Sequence, residues 1–281
     1  MNKQYKKITL TILGGDERMT HLATLLRKKG LQVNYNPCTD GDIGQIDSSY
    51  LILPLPLTTD GVHLNCAAEC KPELVDIISA LSPRTRVLGG CISERVRDAL
   101  EQKGIRWRDY YQNERLLQHN AALTAEATLQ IVMQNLKKSV KSTSVLVIGS
   151  GRCGKAAAKL FKKMEAAVTL TSRKVKERIK TRLMGIKPAK TQAIKQLAGK
   201  YDVIINTAPH PVLTYQVLQT IPQDTLVIEL ASSAAGVDLQ AAGELGTNLI
   251  YAPSLPGRYL PYSAAEAICR AVTKLIKEDF R

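Results

Sequence analysis

Large aromatic side chains, long apolar runs and clustered metal ligands are all scarce in this sequence. Only two Phe and one Trp occur among 281 residues, which disfavours a surface that stacks nucleic-acid bases. No apolar run approaches the roughly 20 residues that a membrane-spanning helix needs. The basic N-terminus leads into a short predicted strand, not into the apolar core of a signal peptide. We therefore expect a cytoplasmic protein without membrane contact.

The six cysteines and four histidines are scattered along the chain. Cys66 and Cys70 could share one face of a helix, but no second pair of Cys or His completes a zinc site. We therefore predict no metal, and we expect reduced, mostly buried thiols.

Positive charge is in excess, and the excess is localised. The net charge is +14, while residues 137–200 hold 18 Lys or Arg and two acids, so this segment is +16 and the remainder is −2. Such a field attracts an anionic cofactor and substrate, or an acidic partner. A solvated lysine face is the plainer interpretation. Nucleic acid is the weaker alternative because no recognition motif accompanies the charge.

The most informative segment covers residues 145–174. An apolar run at 145–148 leads into a G-x-G-x-x-G pattern, and a predicted helix follows. In dinucleotide-binding domains these glycines allow a tight turn, close approach of the backbone to the pyrophosphate and close packing of helix on strand. The helix N-terminus adds unpaired N–H groups and partial positive charge. The residues predicted to bind the cofactor here are Gly149, Ser150, Gly151, Arg152, Cys153 and Gly154.

No carboxylate follows the second strand of this predicted domain. NAD-specific sites place Asp or Glu about 20 residues beyond the glycines, to bond the ribose 2′-hydroxyl. Ser172, Arg173 and Lys174 stand there instead. A serine hydroxyl and two cations suit a 2′-phosphate. We therefore predict NADP, with NAD as the alternative cofactor and a solvated basic turn as the simpler explanation.

Alternating strands and helices predict an α/β fold with two doubly wound, parallel-sheet (Rossmann-like) domains and an interdomain cleft. We place a substrate or catalytic domain at 1–118 and an NAD(P)-binding domain at 119–260, entered by a linker helix at 119–138. The C-terminal helix, 261–281, is expected to pack back on the first domain. A long helix over 114–138 is predicted to be irregular between 120 and 124, and residues 187–188 are predicted to form a loop.

Two later strands of the second domain end in small or polar residues, where the nicotinamide ribose and amide should lie. Turn chemistry alone would also explain this pattern. The further residues predicted to bind the cofactor are Asn206, Thr207, Ala208, Pro209 and Ala231.

Several segments together resemble the dipicolinate synthase A subunit family, two-domain nicotinamide-dependent oxidoreductases of spore-forming bacteria. The resemblance covers nearly the whole chain in order. Its segments are LGGD at 13–16, ILP at 52–54 with Thr58 and Thr59, Asn120 with TAEAT at 124–128, the glycines at 149–154, INTAP at 205–209, ELAS at 229–232 and APSLPG at 252–257.

The resemblance implies that a cyclic hydroxy-tetrahydrodipicolinate loses water and is oxidised to dipicolinate during sporulation. It also implies that the partner is a flavoprotein-like B subunit, and a homo-oligomer is a further option. Family members commonly carry Arg and Lys where this chain has Ser233 and Tyr262. Two cations that would meet substrate carboxylates are therefore missing, and Arg258 could replace one of them.

Aromatisation removes a ring proton, so a base assists the reaction. Glu126 is the favoured base, His210 is its rival, and a solvated helix residue is the plain alternative for Glu126. The predicted catalytic residues are Glu126, Ser232 and Asn120. Hydroxyls, helix N-termini and cations bind carboxylates, although capping a helix is the simpler role for Ser93. The predicted substrate-binding residues are Thr58, Thr59, Ser93, Thr124 and Arg258.

Two other functions fit the same residues. One is a related dehydrogenase of another small imino or hydroxy acid. The other is a non-catalytic NADP-binding subunit whose basic face docks an acidic partner.

Overall fold

The computed structural model of the protein describes residues 8–38, 43–66, 71–231 and 236–279. The chain forms two compact units, one made of residues 1–119 with 260–281 and the other of residues 120–259. Each unit is built on one parallel sheet, which confirms the predicted class of two Rossmann-like α/β domains. None of the helices within the described ranges is long and apolar enough to cross a membrane.

The first unit carries a five-stranded sheet in the order β2-β1-β3-β4-β5. Its central strand β3 is buried at all three positions, as expected for a parallel strand covered on both faces. Its strands are β1 (Thr9–Leu13), β2 (Gln32–Asn36), β3 (Tyr50–Ile52), β4 (Arg86–Gly89) and β5 (Trp107–Asp109). Its helices are α1 (Glu17–Lys28), α2 (Leu74–Ser79), α3 (Glu94–Gln102), the start of α4 (Glu114–Asn135) and α11 (Pro261–Glu278).

The C-terminal helix α11 completes the core of the first unit. Pro261 stands at its first turn, where the missing N–H costs no helical hydrogen bond. Ile268 and Val272 are buried in one hydrophobic cluster with Leu22 and Leu26 of α1. The helix therefore folds with the first unit although it follows the second unit in sequence.

The second unit carries a six-stranded sheet in the order β11-β10-β9-β6-β7-β8, which is the strand order of a Rossmann fold. Its strands are β6 (Ser144–Ile148), β7 (Ala167–Ser172), β8 (Lys187–Lys190), β9 (Val203–Asn206), β10 (Leu226–Glu229) and β11 (Leu249–Tyr251). Besides most of α4, its helices are α5 (Arg152–Lys163), α6 (Val175–Leu183), α7 (Ile194–Leu197), α8 (Tyr215–Leu218), α9 (Leu239–Glu244) and α10 (Leu255–Tyr259). The strand order reverses between β6 and β9, which is where ligands bind in sheets of this kind.

Two local predictions are wrong. Residues 187–188 belong to the edge strand β8, where Pro188 pairs with Leu170; an edge strand tolerates a proline because one of its sides carries no ladder hydrogen bonds. Helix α4 runs without a break through residues 120–124. Thr124 Oγ1 donates to the carbonyl oxygen of Asn120 at 2.8 Å, so its hydroxyl bonds back to the helix and does not interrupt it.

We expect Ile268→Ala to destabilise the first unit by about 3 kcal/mol, because the buried side chain leaves a cavity between α11 and α1. Trp107 is the one tryptophan of the sequence and lies in this unit. Urea unfolding followed by its fluorescence therefore reports this unit. Lys277→Ala, on the exposed side of the same helix, should change the free energy of unfolding by less than about 0.5 kcal/mol. An equal effect of both substitutions would contradict the packing described for α11.

Candidate dinucleotide-binding site

The turn between β6 and α5 is shaped by two glycines that its own packing requires. Gly149 has a φ of 99°, in the left-handed region that glycine adopts without strain. A Cβ on Gly154 would overlap the carbonyl oxygen of Gly149, so only glycine lets the helix pack this closely. Thr207 Oγ1 donates to the carbonyl oxygen of Ile148 at 2.9 Å and joins the turn to the end of β9.

Gly151 is a glycine for a different reason. Its φ is −70°, which any residue adopts, and a Cβ at this position would meet no protein atom within 4 Å. It is the N-cap of α5 and supplies no side-chain cap for the first N–H groups of that helix. The space outside Gly151 is therefore open and faces a helix N-terminus, as a bound pyrophosphate requires.

A pocket of about 730 Å³ lies beside this turn, at the point where the strand order reverses. Its volume is in the range of sites for small molecules and cofactors. Nine of the predicted cofactor residues line it: Gly149, Ser150, Gly151, Ser172, Arg173, Lys174, Thr207, Ala208 and Pro209. The pocket wall also contains residues that were not predicted to bind the cofactor, among them Lys155, Glu177, Thr191, Gln192, Ile194, Lys195, His210 and Val212.

The five other predicted cofactor residues do not line this pocket. Arg152 is exposed at the start of α5, and Gly154 lies buried beneath the turn. Cys153 is half-buried, and burial raises the pKa of its thiol. Asn206 and Ala231 are buried at the ends of β9 and β10. Any contribution of the two buried strand-end residues to binding therefore passes through their neighbours.

Positive charge dominates the end of the pocket that is formed by the loop after β7. Arg173 and Lys174 are exposed on its rim. Arg178 Nη1 donates to the carbonyl oxygens of Ser172 and Arg173 at 3.0 Å each, which fixes the loop that carries both cations. Ser172 is buried, and its Oγ accepts a hydrogen bond from Ser150 Oγ at 2.8 Å. The cationic loop and the glycine turn are thus held together.

One acid faces these cations. Glu177 Oε2 lies 2.5 Å from Lys155 Nζ, and the other carboxylate oxygen lies 3.3 Å from Lys180 Nζ. The hydrogen bond from Lys155 holds the pKa of Glu177 below its ordinary value. Glu177 is therefore an anion that neutralises Lys155 and leaves Arg173 and Lys174 to meet a ligand.

A buried carboxylate that was not predicted to be functional supports the other end of the pocket. Glu229 is completely buried; its Oε2 accepts from Asn206 Nδ2 at 2.6 Å and its Oε1 accepts from the N–H of Ala231 at 2.7 Å. Asn206 Oδ1 in turn accepts from the N–H of Ala208, a pocket residue, at 3.1 Å. Burial raises the pKa of Glu229, and these hydrogen bonds oppose the shift. In the sequence, the signal for this network is an acid at the end of an otherwise apolar strand.

The predicted substrate residues of the first unit are near its surface. Thr58 Oγ1 donates to Asp60 Oδ1 at 3.1 Å, and Thr59 is exposed. Ser93 caps α3 and accepts from the N–H of Val96 at 3.4 Å. Ser93 therefore has the helix-capping role that was the simpler expectation for it.

An unpredicted carboxylate–imidazole pair lies in the same loop as Thr58. Asp60 Oδ2 is 2.8 Å from His63 Nδ1. Hydrogen bonds from the N–H groups of His63 and Val62 hold the pKa of Asp60 well below its usual range. A carboxylate that holds an imidazole in one orientation is an arrangement used in general acid–base catalysis.

The remaining predicted residues belong to the second unit. Glu126 is exposed on α4, whereas Thr124 is buried one turn from the half-buried Asn120. Arg258 is exposed, with its guanidinium carbon 6.0 Å from the ring centroid of Tyr259. Ser232 lies outside the described residues.

The ligands of a metal site are not gathered anywhere in the described ranges: no group of three His, Cys, Asp or Glu there could hold an ion. The five cysteines within these ranges are free, and Cys70 lies outside them. The predicted absence of a metal stays a prediction.

Two family models match the chain. Residues 9–111 match the model described as the N-terminal domain of the dipicolinate synthase A subunit. Residues 108–235 match the NAD binding domain of D-isomer specific 2-hydroxyacid dehydrogenases. Among curated proteins, the dipicolinate synthase A subunit of Bacillus subtilis (strain 168) is 25% identical over 289 residues, covering 96% of each protein.

Solved structures extend the comparison to the fold. The dipicolinate synthase A subunit from Bacillus halodurans is 23% identical with a TM-score of 0.84, covering 95% of this chain and 97% of the other. The corresponding chain of the Bacillus subtilis enzyme is 22% identical with a TM-score of 0.82, covering 96% of both. D-lactate dehydrogenase from Escherichia coli shares the fold at 10% identity, with a TM-score of 0.63 and 97% coverage of both chains.

We expect Glu229→Gln to destabilise the second unit by about 1–3 kcal/mol, because the new amide directs a donor at the N–H of Ala231 or at Asn206 Nδ2. The double variant Asn206→Asp/Glu229→Gln should recover most of that loss, since donor and acceptor are exchanged between the two side chains. Urea unfolding followed by far-ultraviolet circular dichroism measures both effects.

Asn206→Asp alone serves as the control for this pair. It places a second carboxylate beside the buried Glu229, and the repulsion between them should lower the free energy of unfolding. If the double variant lost as much stability as the sum of the two single variants, the hydrogen bonds between Asn206 and Glu229 would not hold this end of the pocket.

Proposed function

We propose that this chain, a relative of the dipicolinate synthase A subunit over nearly its whole length, is an NADP-dependent oxidoreductase that dehydrates and oxidises 4-hydroxy-tetrahydrodipicolinate to dipicolinate. The relationship confirms the family resemblance found in the sequence. The second unit carries a dehydrogenase-type NAD-binding domain. The observation that carries the proposal is the pocket at the strand reversal, where Gly151 leaves open space before the N-terminus of α5.

The proposed reaction needs no oxidant other than NADP⁺. The substrate loses water, and the resulting dihydro ring loses a hydride and a proton to become aromatic. NADP⁺, when bound, accepts the hydride. The N–H groups at the start of α5 hold the pyrophosphate, Arg173 and Lys174 hold the 2′-phosphate, and the network around Glu229 shapes the pocket end where the nicotinamide is proposed to lie.

The proton is proposed to leave to a carboxylate or an imidazole. Glu126, which is exposed on α4, is the proposed base, with Asn120 and Ser232 as further catalytic residues. His210 on the pocket wall and the Asp60–His63 pair are alternative bases. The proposed partners of the substrate carboxylates are Thr58, Thr59, Ser93, Thr124 and Arg258.

A flavoprotein-like B subunit is the proposed partner, and the cytoplasm of a spore former's mother cell is the proposed location. Both proposals are supported by the relationship to a protein whose name makes it one subunit of dipicolinate synthase. A dehydrogenase of another small imino or hydroxy acid is the second candidate. It is favoured by Tyr262, which stands where the family commonly has lysine.

We expect Arg173→Ala/Lys174→Ala to weaken NADP⁺ binding by at least about 100-fold, since two charge-assisted hydrogen bonds to a phosphate, at about 1.5 kcal/mol or more each, together contribute about 3 kcal/mol. NAD⁺ has no 2′-phosphate, so its dissociation constant should change by less than about threefold by the same reasoning. Isothermal titration calorimetry with both nucleotides measures the difference.

Lys159→Ala/Lys163→Ala is the matched control, because it removes the same charge from exposed positions that do not line the pocket. Equal weakening of NADP⁺ and NAD⁺ in the Arg173/Lys174 variant, or an equal effect of the control on NADP⁺, would contradict recognition of the 2′-phosphate.

Absorbance at 340 nm tests the reaction itself. Fresh hydroxy-tetrahydrodipicolinate with NADP⁺ should produce reduced cofactor and dipicolinate, with the proposed B subunit present and absent in parallel reactions. Reduced cofactor formed only from another imino or hydroxy acid would favour the second candidate. No reduction with any of these substrates, in a protein that binds NADP⁺, would contradict the proposed enzyme.

A further inference from the structure

Helix α6 of the second unit exposes its large apolar residues and buries a polar one. Val175, Ile179 and Leu183 expose 61, 57 and 82% of their surface. Thr181 is 1% exposed, and its hydroxyl donates to the carbonyl oxygen of Glu177 at 2.8 Å. The apolar face of α6 is therefore directed away from the core, opposite to the usual orientation of a surface helix.

The three exposed residues form a continuous surface. Residues four apart in an α-helix lie above one another on the same face, so Val175, Ile179 and Leu183 make one apolar ridge, which we call the α6 ridge. Rows of residues at this spacing are the rows that interlock when two helices pack. Single exposed apolar residues are ordinary, whereas three adjacent large ones on the outermost face of one helix mark an interaction surface.

Cations border the ridge. Lys176 and Lys180 are exposed along one side and Arg182 along the other. Lys180 lies 3.3 Å from Glu177, which is the one acid of this helix. The charges around the α6 ridge are therefore predominantly positive.

This charge decides which partner fits. A second copy of the chain, paired through the same ridge about a twofold axis, would bring Lys176 and Arg182 against their own counterparts. Like charges facing each other across an interface oppose association. A partner with an apolar ridge bordered by carboxylates satisfies both the apolar and the charged parts of this surface.

We propose that the α6 ridge docks an acidic amphipathic helix of a partner protein. Leucine-like side chains of that helix pack along Val175, Ile179 and Leu183, and its carboxylates pair with Lys176 and Arg182. Glu177, on the opposite side of α6, lines the cofactor pocket. Docking on the ridge therefore leaves the pocket accessible, and the inference does not depend on the substrate proposed above.

Fluorescence anisotropy with two labelled peptides tests the proposal on the full-length protein. Each peptide has about 20 residues, long enough to form a helix, with leucines at every fourth position bordered by Glu in one and by Lys in the other. The acidic peptide should bind, and the basic one should bind at least about tenfold more weakly. Lys176→Glu/Arg182→Glu should reverse this preference, because charge complementarity sets the choice of partner.

The apolar contact is tested by Leu183→Ser, which should weaken binding of the acidic peptide at least about tenfold. Met133→Ser is the matched control, since Met133 is 60% exposed elsewhere on the same unit and should leave peptide binding unchanged. NADP⁺ should still bind to every variant, which shows that the second unit is folded.

Three results would overturn the proposal. One is equal binding of both peptides, and another is no binding of either peptide to a protein that still binds NADP⁺. The third is a dimer of the wild-type chain in sedimentation velocity that Leu183→Ser dissociates, because the occupant of the ridge would then be a second copy.

Discussion

Close packing of α5 against the carboxyl end of β6 sets the position of the helix N-terminus in the candidate site. Gly154 has no room for a side chain because the carbonyl oxygen of Gly149 occupies that position, and Gly149 must adopt a positive φ to reach it. These two residues bring the N-terminus of α5 directly to the carboxyl end of β6. Gly151, which nothing in the protein crowds, then presents bare backbone to whatever binds there.

The two ends of the pocket are supported by different forces. At the end formed by the loop after β7, hydrogen bonds from Arg178 to the carbonyl oxygens of Ser172 and Arg173 hold two exposed cations, whose charges remain accessible to a phosphate. At the other end, the completely buried Glu229 binds Asn206 and through it Ala208. A buried network of this kind is costly unless every member is paired, so it fixes the strand ends in one arrangement.

How far the sequence predicts this site depends on how local each feature is. The glycine turn is contiguous, so its three glycines could be assigned from spacing alone. Residues 187–190 do not show the alternation of apolar and polar residues that predicts a strand. They form one only because they pair with β7 in the folded sheet. Glu229 and Asn206 are 23 residues apart and meet only in the folded sheet. The α6 ridge lies within a segment rich in Lys and Arg, whose composition is typical of a solvated helix and masks the apolar spacing.

The space before Gly151 is proposed to hold the pyrophosphate of a dinucleotide, and titration of NADP⁺ into Gly151→Asp is the decisive experiment. Asp is a favourable N-cap residue, and its Cβ would meet no protein atom. The midpoint of urea unfolding should therefore be equal to or higher than that of the wild-type protein. Its carboxylate would repel the pyrophosphate, and we predict at least about 100-fold weaker NADP⁺ binding, equivalent to about 2.8 kcal/mol. Wild-type affinity in a folded Gly151→Asp protein would contradict binding of the dinucleotide at this turn.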